Sequence, residues 1–190
     1  MQAPTLRSAR LILSEPMIHR GMDMTHYLKW LNDPVVTRYS EQRHQKHTKD
    51  SQYRYLQSYI HNEDMYWDIK LEENPIGSMT ALLDHANMVA NVGILIGDVR
   101  YWGRGFACEA YDAACEYLFG ERFRKIEGGT MACNEAMISV FKKLEFTQEA
   151  VIKDHFLFNG QPKDLLIYGK IRATKVLALK SDQRERRGPE

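Results

Sequence analysis

Residues Arg100-Tyr101-Trp102-Gly103-Arg104-Gly105-Phe106-Ala107 have the types and spacing to do chemistry. They lie between Val92-Gly93-Ile94-Leu95-Ile96, an apolar run that reads as a buried strand, and Phe106 to Phe119, which reads as an amphipathic helix. A glycine-bearing loop that opens a helix leaves backbone N–H groups without partners at the positive end of the helix dipole. Such a loop takes a phosphate or pyrophosphate. The spacing therefore points to a phosphate-bearing ligand, and the question is which one.

The elements needed to position this loop can be read from periodicity. A first strand falls within Leu6 to Leu13, and Asp23 caps a helix carrying Tyr27, Leu28, Trp30 and Leu31. Asn32-Asp33-Pro34 ends that helix, and residues 37–47 read as polar loop. Thr48 or Asp50 caps a second helix to about Ile60. Tyr66 to Leu71 and Ile76 to Leu83 read as a hairpin around Glu72-Glu73-Asn74-Pro75. Asp84 to Ala90 connects to the strand of residues 91–97. On the helix after the glycine loop, Phe106, Ala110, Ala113, Ala114, Tyr117 and Leu118 share one face, as packing on a sheet requires. Lys125 to Cys133 is a strand in which Gly128-Gly129 marks weakness or close backbone approach. Asn134 caps a helix with Ile138, Phe141 and Leu144. Asn159-Gly160 joins two late strands as a hairpin.

At 190 residues, with 44% hydrophobic and 27% charged residues, the chain is most simply one domain with a real core. A net charge of +1 gives no support for broad capture of nucleic acid or a membrane surface. The chain shows no apolar leader and no membrane-length segment, and Cys108, Cys115 and Cys133 are too few and odd in number for a disulfide framework. These features predict a cytoplasmic protein. The polar segment of residues 176–190 reads as a disordered tail after a domain of residues 1–175.

Two cofactors compete for the loop. Gly103-x-Gly105-x-x-Cys108 approximates a dinucleotide fingerprint, with Glu127 downstream to hold a ribose. Against it, the third small position is Cys, Gly97 to Trp102 separate the glycines from their strand, and no second βαβ half follows. The alternative rests on a family. Arg100-x-x-Gly103-x-Gly105 after a strand resembles the acetyl-CoA loop of the GNAT acetyltransferase superfamily. Asn134-Glu135-Ala136 and Val140-Phe141-x-Lys143-Leu144-x-Phe146 resemble the later cofactor helix, as written in the ribosomal-protein N-terminal acetyltransferases of the Rim group. Leu6 to Leu13, Asp154-His155-Phe156, Asn159-Gly160 and Asp164 resemble the opening strand and closing hairpin of that group.

The resemblance implies an α+β GNAT fold: a mixed, mostly antiparallel sheet with helices on both faces and a splayed central strand pair. It implies acetyl-CoA as co-substrate and no metal. The amides of Arg100, Tyr101, Trp102, Gly103, Arg104 and Gly105, with Phe106 and Ala107 opening the helix, would hold the pyrophosphate. Ile94, Leu95 and Ile96, at a bulge in the splayed strand, would pair with the pantetheine arm, and an amide near Leu95 or Ile96 would stabilise the oxyanion. Asn134 would reach the pantetheine, Phe141 would line the acetyl end, and Lys143 belongs to the same motif. Arg100 and Arg104 would add charge near the phosphates.

The acid and base are less defined. Phe141 stands where many relatives have a Tyr acid, Met137 where the Rim group often has Ser, Asn91 where a carboxylate often stands, and Glu145 in place of a Gly. The remaining candidates are Asp84 as base, His155 as base or substrate contact, and Tyr168 as proton donor to the thiolate. Each has a plainer reading, as turn residue, surface residue and packing residue respectively. Cys108, in the first turn of the loop helix, could carry a covalent acetyl group or simply pack. His44 and His47 lack metal-site spacing and read as solvated loop. Arg38, Tyr39, Glu41 and Arg43 would frame the acceptor. The expected activity is direct acetyl transfer to a primary amine, of a small molecule such as an amino sugar or nucleotide-linked amino sugar, or of a protein N-terminus. A CoA-binding sensor without turnover is the non-enzymatic alternative, and a homodimer is compatible with the resemblance.

Overall fold

The computed structural model describes residues 3–19 and 21–172. The tail expected over residues 176–190 lies outside the described residues. Leu6–Arg7 (β1) and Leu11–Ser14 (β2) pair antiparallel, so the first strand is broken in two. The break is held from a distant helix: Glu109 Oε1 accepts from Ser8 Oγ and from the Arg10 amide, both at 2.7 Å.

Helix Thr25–Leu31 (α1) has Met24 at its cap position, one residue after the expected cap Asp23, whose Oδ1 accepts from the Thr25 amide at 2.9 Å. Asp33 then caps a short helix, Pro34–Thr37 (α2), within the segment expected to end α1. The polar loop that follows contains a 3-10 turn at Glu41–His44. Helix Lys49–His61 (α3) opens with a reciprocal capping box between Thr48 and Ser51. Strands Met65–Leu71 (β3), Asn74–Asp84 (β4) and Val89–Ile96 (β5) form an antiparallel meander. A 3-10 turn at Val99–Tyr101 leads through the glycines into Phe106–Gly120 (α4). Lys125–Met131 (β6), Glu135–Lys143 (α5), Thr147–Phe158 (β7) and Gln161–Ile171 (β8) complete the chain.

The eight strands run in the order β1-β2-β3-β4-β5-β6-β8-β7, and β5–β6 is the parallel pair. α4 makes the crossover between those two strands, as a parallel connection requires. β3 alternates: Met65, Trp67 and Ile69 join the core under α4, and Tyr66 joins a second core with Tyr27, Trp30, Leu56 and Tyr59 from α1 and α3. On α4 the buried stripe is Phe106, Ala110, Tyr111, Ala114, Cys115 and Leu118. It is rotated from the expected face, with Tyr111 and Cys115 buried where Ala113 and Tyr117 are only half-buried.

β5 and β6 pair only at Val89–Lys125, Ala90–Ile126 and Asn91–Glu127, then diverge. A wedge fills the base of the gap. The Tyr111 hydroxyl donates to the Val92 carbonyl at 3.0 Å, taking a position that a β6 amide would otherwise occupy. The ring of Phe141 packs edge-on against Tyr111 and stacks on Tyr168. A Cβ on Gly128 would stand 2.6 Å from the Tyr111 hydroxyl and 2.8 Å from Phe141, so the close approach at this glycine admits the wedge. The bulge expected at Ile94 to Ile96 is absent: β4–β5 register is unbroken from Gly77–Ile96 to Asp84–Val89. The strands are forced apart by side chains rather than by an extra residue.

Candidate active site

The gap opens toward the glycine loop. Gly103 has φ +71° and Gly105 φ +82°, both in the left-handed region that favours glycine. Gly105 is the cap of α4 and offers no side-chain oxygen, and the first α4 amide bonded inside the helix is that of Glu109, to the Gly105 carbonyl. The amides of Phe106, Ala107 and Cys108 therefore face outward at a helix N-terminus, a cradle for phosphate oxygens. Nothing lies within 4 Å of a Cβ position at Gly103, so a ligand can approach the backbone there. The cationic surroundings differ from expectation. Arg100 is bound to Asp98 at 2.6 Å, and that contact holds the Asp98 carboxyl below its usual range. Arg104 lies 5.6 Å from the ring centres of both Tyr101 and Phe106, and Arg10 lies 4.3 Å from that of Phe106. Arg10 is itself ion-paired with Glu109 at 2.6 Å, so Arg104 is the arginine beside the cradle with no carboxylate partner among the described residues. Lys143, exposed at the end of α5, acts electrostatically on the Cys108 thiol and so stands near the same helix end.

Backbone alternation fixes which β5 groups face the gap. The Gly97 amide donates to the Ile76 carbonyl on β4 at 2.9 Å. Residues two and four back along the strand face the same way, so Leu95 and Gly93 turn their amides to β4. A Cβ on Gly77 of β4 would meet the Leu95 carbonyl at 2.3 Å, which agrees. The backbone groups of Ile94 and Ile96 face the gap, where the Trp102 indole donates to the Ile96 carbonyl at 2.7 Å. Of the amides expected to serve an oxyanion, that of Leu95 is turned to β4 and away from the gap, which corrects its expected role, whereas those of Ile96 and its neighbour Ile94 face the gap. Leu95 instead turns its side chain to the α1–α3 core.

Two members of the expected cofactor set are already engaged. Asn134 accepts from the Met137 amide and donates to Thr130 Oγ1 at 3.0 Å. Phe141 is fully buried in the wedge and exposes no face to an acetyl group, which corrects its expected position.

A cleft of about 390 Å³ lies beside Gly93, Ile94 and Leu95, between the sheet, α1, α3 and the loop of residues 38–47. Its walls are Tyr27, Trp30, Tyr55 and Tyr66, with hydroxyls from Ser40, Ser78 and Thr80 and amides from Gln42, Gln45 and Gln52. Among the described residues lining it there is no carboxylate, lysine or arginine. Gln52 is 2% exposed, and its Nε2 has no hydrogen-bond partner. The wall differs from the acceptor frame expected from sequence: Arg38, Tyr39, Glu41 and Arg43 are not among its lining residues. Those four shape the rim. Arg43 pairs with Glu41 at 2.7 Å and donates to the Leu157 carbonyl, and Tyr39 packs between the Phe158 ring and the Arg38 guanidinium. The loop is thereby latched to the tip of the β7–β8 hairpin.

The expected acid–base groups are dispersed. Asp84 pairs with Val89 at the closed end of the β4–β5 hairpin, five residues before Ile94, or about 16 Å along the strand. Its carboxylate accepts from the Asn87 amide and side chain, a turn role that lowers its pKa and removes it from the gap. His155 is exposed at an irregularity of the edge strand β7, its ring edge-on to Phe156. Tyr168 is buried and donates to Gln148 Oε1 at 3.3 Å, away from the gap. Burial pushes the Cys108 thiol above its usual range, the opposite of an activated nucleophile. His44 is exposed beside Glu41, whereas His47, expected in solvent, is 9% exposed, with Nε2 3.2 Å from the Gln42 carbonyl. Among the described residues no cluster of His, Cys, Asp or Glu could hold a metal, and no helix is long and apolar enough to cross a membrane.

The comparisons with known proteins agree with this architecture. The model of the acetyltransferase (GNAT) domain matches residues 10–147. The uncharacterized N-acetyltransferase p20 of Bacillus licheniformis is 26% identical over 92 residues, 48% of this chain and 51% of that protein, so the match spans about half the length of the curated relative. RimL, a ribosomal-protein alpha-N-acetyltransferase solved with coenzyme A, superposes with a TM-score of 0.77 at 18% identity, covering 88% of this chain and 98% of that one. The microcin self-immunity acetyltransferase MccE, solved with acetyl-CoA and AMP, gives 0.74 at 16% identity over 86% of this chain and 93% of that one. At these identities the superpositions speak for the fold, and the matched domain speaks for the family. A splayed parallel pair, a glycine loop capping the crossover helix and a GNAT match over most of the chain have one reading: the chain belongs to the GNAT family of acetyl-CoA-dependent acyltransferases.

Proposed function

We propose that this chain transfers an acetyl group from acetyl-CoA directly to the primary amine of a small polar acceptor of the amino-sugar class. The carrying observation is the cleft beside Ile94 and Leu95, walled by aromatic rings, amides and hydroxyls, with the buried Gln52 Nε2 unpartnered. An orphaned buried donor costs about 1–3 kcal/mol until something accepts from it. A sugar hydroxyl or acetamido oxygen would do so, while the aromatic rings take the apolar faces of the sugar. A polyamine would find no carboxylate on that wall. The latch of the 38–47 loop onto the β7–β8 hairpin closes one flank, which favours a compact acceptor over an extended peptide. Beyond the loop a groove of about 850 Å³ carries Arg38, Arg43, His44 and Lys46, suited to the phosphates of a nucleotide-linked sugar. MccE, of like fold, was solved with AMP beside acetyl-CoA.

In this reading the amides of Phe106 to Cys108 hold the pyrophosphate, and the Ile94 and Ile96 amides face the pantetheine and thioester carbonyl. One of the latter donates to the oxyanion as the amine attacks. Holding both substrates at one gap supplies the proximity term. The test is an acceptor screen with radiolabelled acetyl-CoA against hexosamines, nucleotide-linked amino sugars, spermidine and N-terminal peptides. Label is expected in the amino sugars. Label in peptides alone would replace this reading with protein N-terminal acetylation, and tight acetyl-CoA binding with no thiol release would leave a sensor.

A further inference from the structure

The acetyl transfer proposed above needs an acceptor for the proton that the ammonium group loses; the cleft lining holds no carboxylate, and its one imidazole, His47, is held by Nε2 at 3.2 Å from the Gln42 carbonyl on the loop side, across from the sheet. A carboxylate does lie one layer below the cleft. Asp68 sits in the middle of β3 at 6% exposure. Its cross-strand neighbours are Ser14 on β2 and Ser78 on β4, and Ser78 is in turn opposite Leu95 on β5. Residues opposite one another share a face, so Asp68, Ser78 and Leu95 form a row under α1, with about 4.8 Å between strands. Tyr27 of α1 lines the cleft and donates its hydroxyl to Asp68 Oδ1. The other charged or titratable groups around the pair are Tyr66 and Lys70 on β3 and His26 on α1. Asp68 has no ion-pair partner among the described residues. A buried carboxylate with a single hydroxyl donor weakens the fold wherever it is ionised. Burial pushes it up to about 6, against the opposing effects of Tyr27 and Lys70.

Resting on the acetyltransferase reading, we propose that Asp68 receives, through the Tyr27 hydroxyl, the proton that the acceptor's ammonium group gives up before attack. An N–H bond of the ammonium breaks and its proton passes to Tyr27 Oη, while the proton of Tyr27 passes to Asp68 Oδ1. The nitrogen keeps the electron pair with which it attacks the thioester carbon. Tyr27 begins and ends neutral, and Asp68 ends as a carboxylic acid that returns its proton to solvent after turnover. Burial raises the Tyr27 hydroxyl far above its ordinary range, which suits a group that relays a proton without becoming an anion.

The test compares wild type, Asp68→Asn, Asp68→Glu and Tyr27→Phe in thiol release from acetyl-CoA with glucosamine, spermidine and an N-terminal peptide. The wild-type kcat/KM should fall on the acid side through a limb near pH 6. Asp68→Asn and Tyr27→Phe should lose about 100- to 10,000-fold in kcat and lack that limb, with KM for acetyl-CoA within about twofold. Asp68→Glu should recover part of the rate. Melting separates this role from a structural one. The folded pKa of Asp68 is raised, so its charge costs stability that is absent below the unfolded value and fully present above the folded one. Asp68→Asn should therefore melt higher than wild type at neutral pH, with the difference shrinking in acid. Full turnover with the limb intact in Asp68→Asn, or a lower melting temperature at neutral pH, would overturn the relay while leaving acetyl transfer standing. No thiol release by wild type with any of the three amines would overturn both.

Discussion

At the scale of single residues, the best-defined feature is the pair of left-handed glycines beside the α4 N-terminus. Their dihedrals are used, not merely tolerated: Gly103 at φ +71° and Gly105 at φ +82° aim the chain so that three amides point outward. Gly103→Val would force a β-branched side chain into this region at roughly 1–2 kcal/mol. In the proposed cofactor site it would also put methyl groups in the path of the phosphate oxygens. Since no atom beyond the adjoining residues lies within 4 Å of the new Cβ, the fold should survive. The expected result is a cooperative melt within a few degrees of wild type, with acetyl-CoA binding lost in isothermal titration. Unchanged affinity would remove the loop from the cofactor site. This loop was legible in the sequence because its information is contiguous: strand, two glycines, helix. Asp68 was not, because it lies inside Met65-Tyr66-Trp67-Asp68-Ile69, where alternation alone does not say which face meets a cleft built by α1. His47 reads as solvated loop and Gln52 as a polar helix residue, because their burial depends on tertiary packing around the cleft that local sequence does not carry.

At the scale of elements, the gap between β5 and β6 depends on what fills its base. The family resemblance led to an expected bulge in β5, but the opening is made by Tyr111 and Phe141 pressing against Gly128. Neither ring was legible in that role. Tyr111 falls beside the apolar stripe first read on α4, and Phe141 resembled a cofactor contact because it occupies a motif position. Gly128→Ala tests the wedge. Its Cβ would fall within 3 Å of the buried Tyr111 hydroxyl and Phe141 ring, an overpacking that costs about 1–3 kcal/mol. Urea denaturation should show that loss, accompanied by weaker acetyl-CoA binding as the strands adjust. A stability equal to wild type would mean that the rings yield freely and do not set the gap.

At the scale of the whole molecule, the fold class, the order of elements and helices on both faces followed from periodicity and turn chemistry together with the family resemblance. The helix boundaries differ by a residue or two where Asp23 makes a local turn before α1 and Asp33 caps α2. Charge is a whole-molecule property that works against the ligand's needs. With a net charge of only +1, long-range attraction of a polyanion such as coenzyme A is weak, and with Arg10 paired to Glu109 it falls to Arg104 and Lys143 near one helix end. Exposed charges of this kind are worth about 0.5–1 kcal/mol each and are screened over about 10 Å in 0.1 M salt. Arg104→Ala should therefore raise KM for acetyl-CoA about 2- to 5-fold at low salt and flatten its salt dependence, while KM for an uncharged-bodied acceptor stays put. A salt response equal to wild type would place the effective cation elsewhere.

The three residue pairs that join β5 to β6 also define how the molecule would fail under load. Five strands lie on one side of that seam and three on the other, tied by α4 and by a ladder too short to share force among many bonds. Pulled apart across the sheet, the protein should tear there first. A ligand spanning the gap would act as a rivet, so rupture force in single-molecule stretching would report occupancy directly, without any acceptor being present.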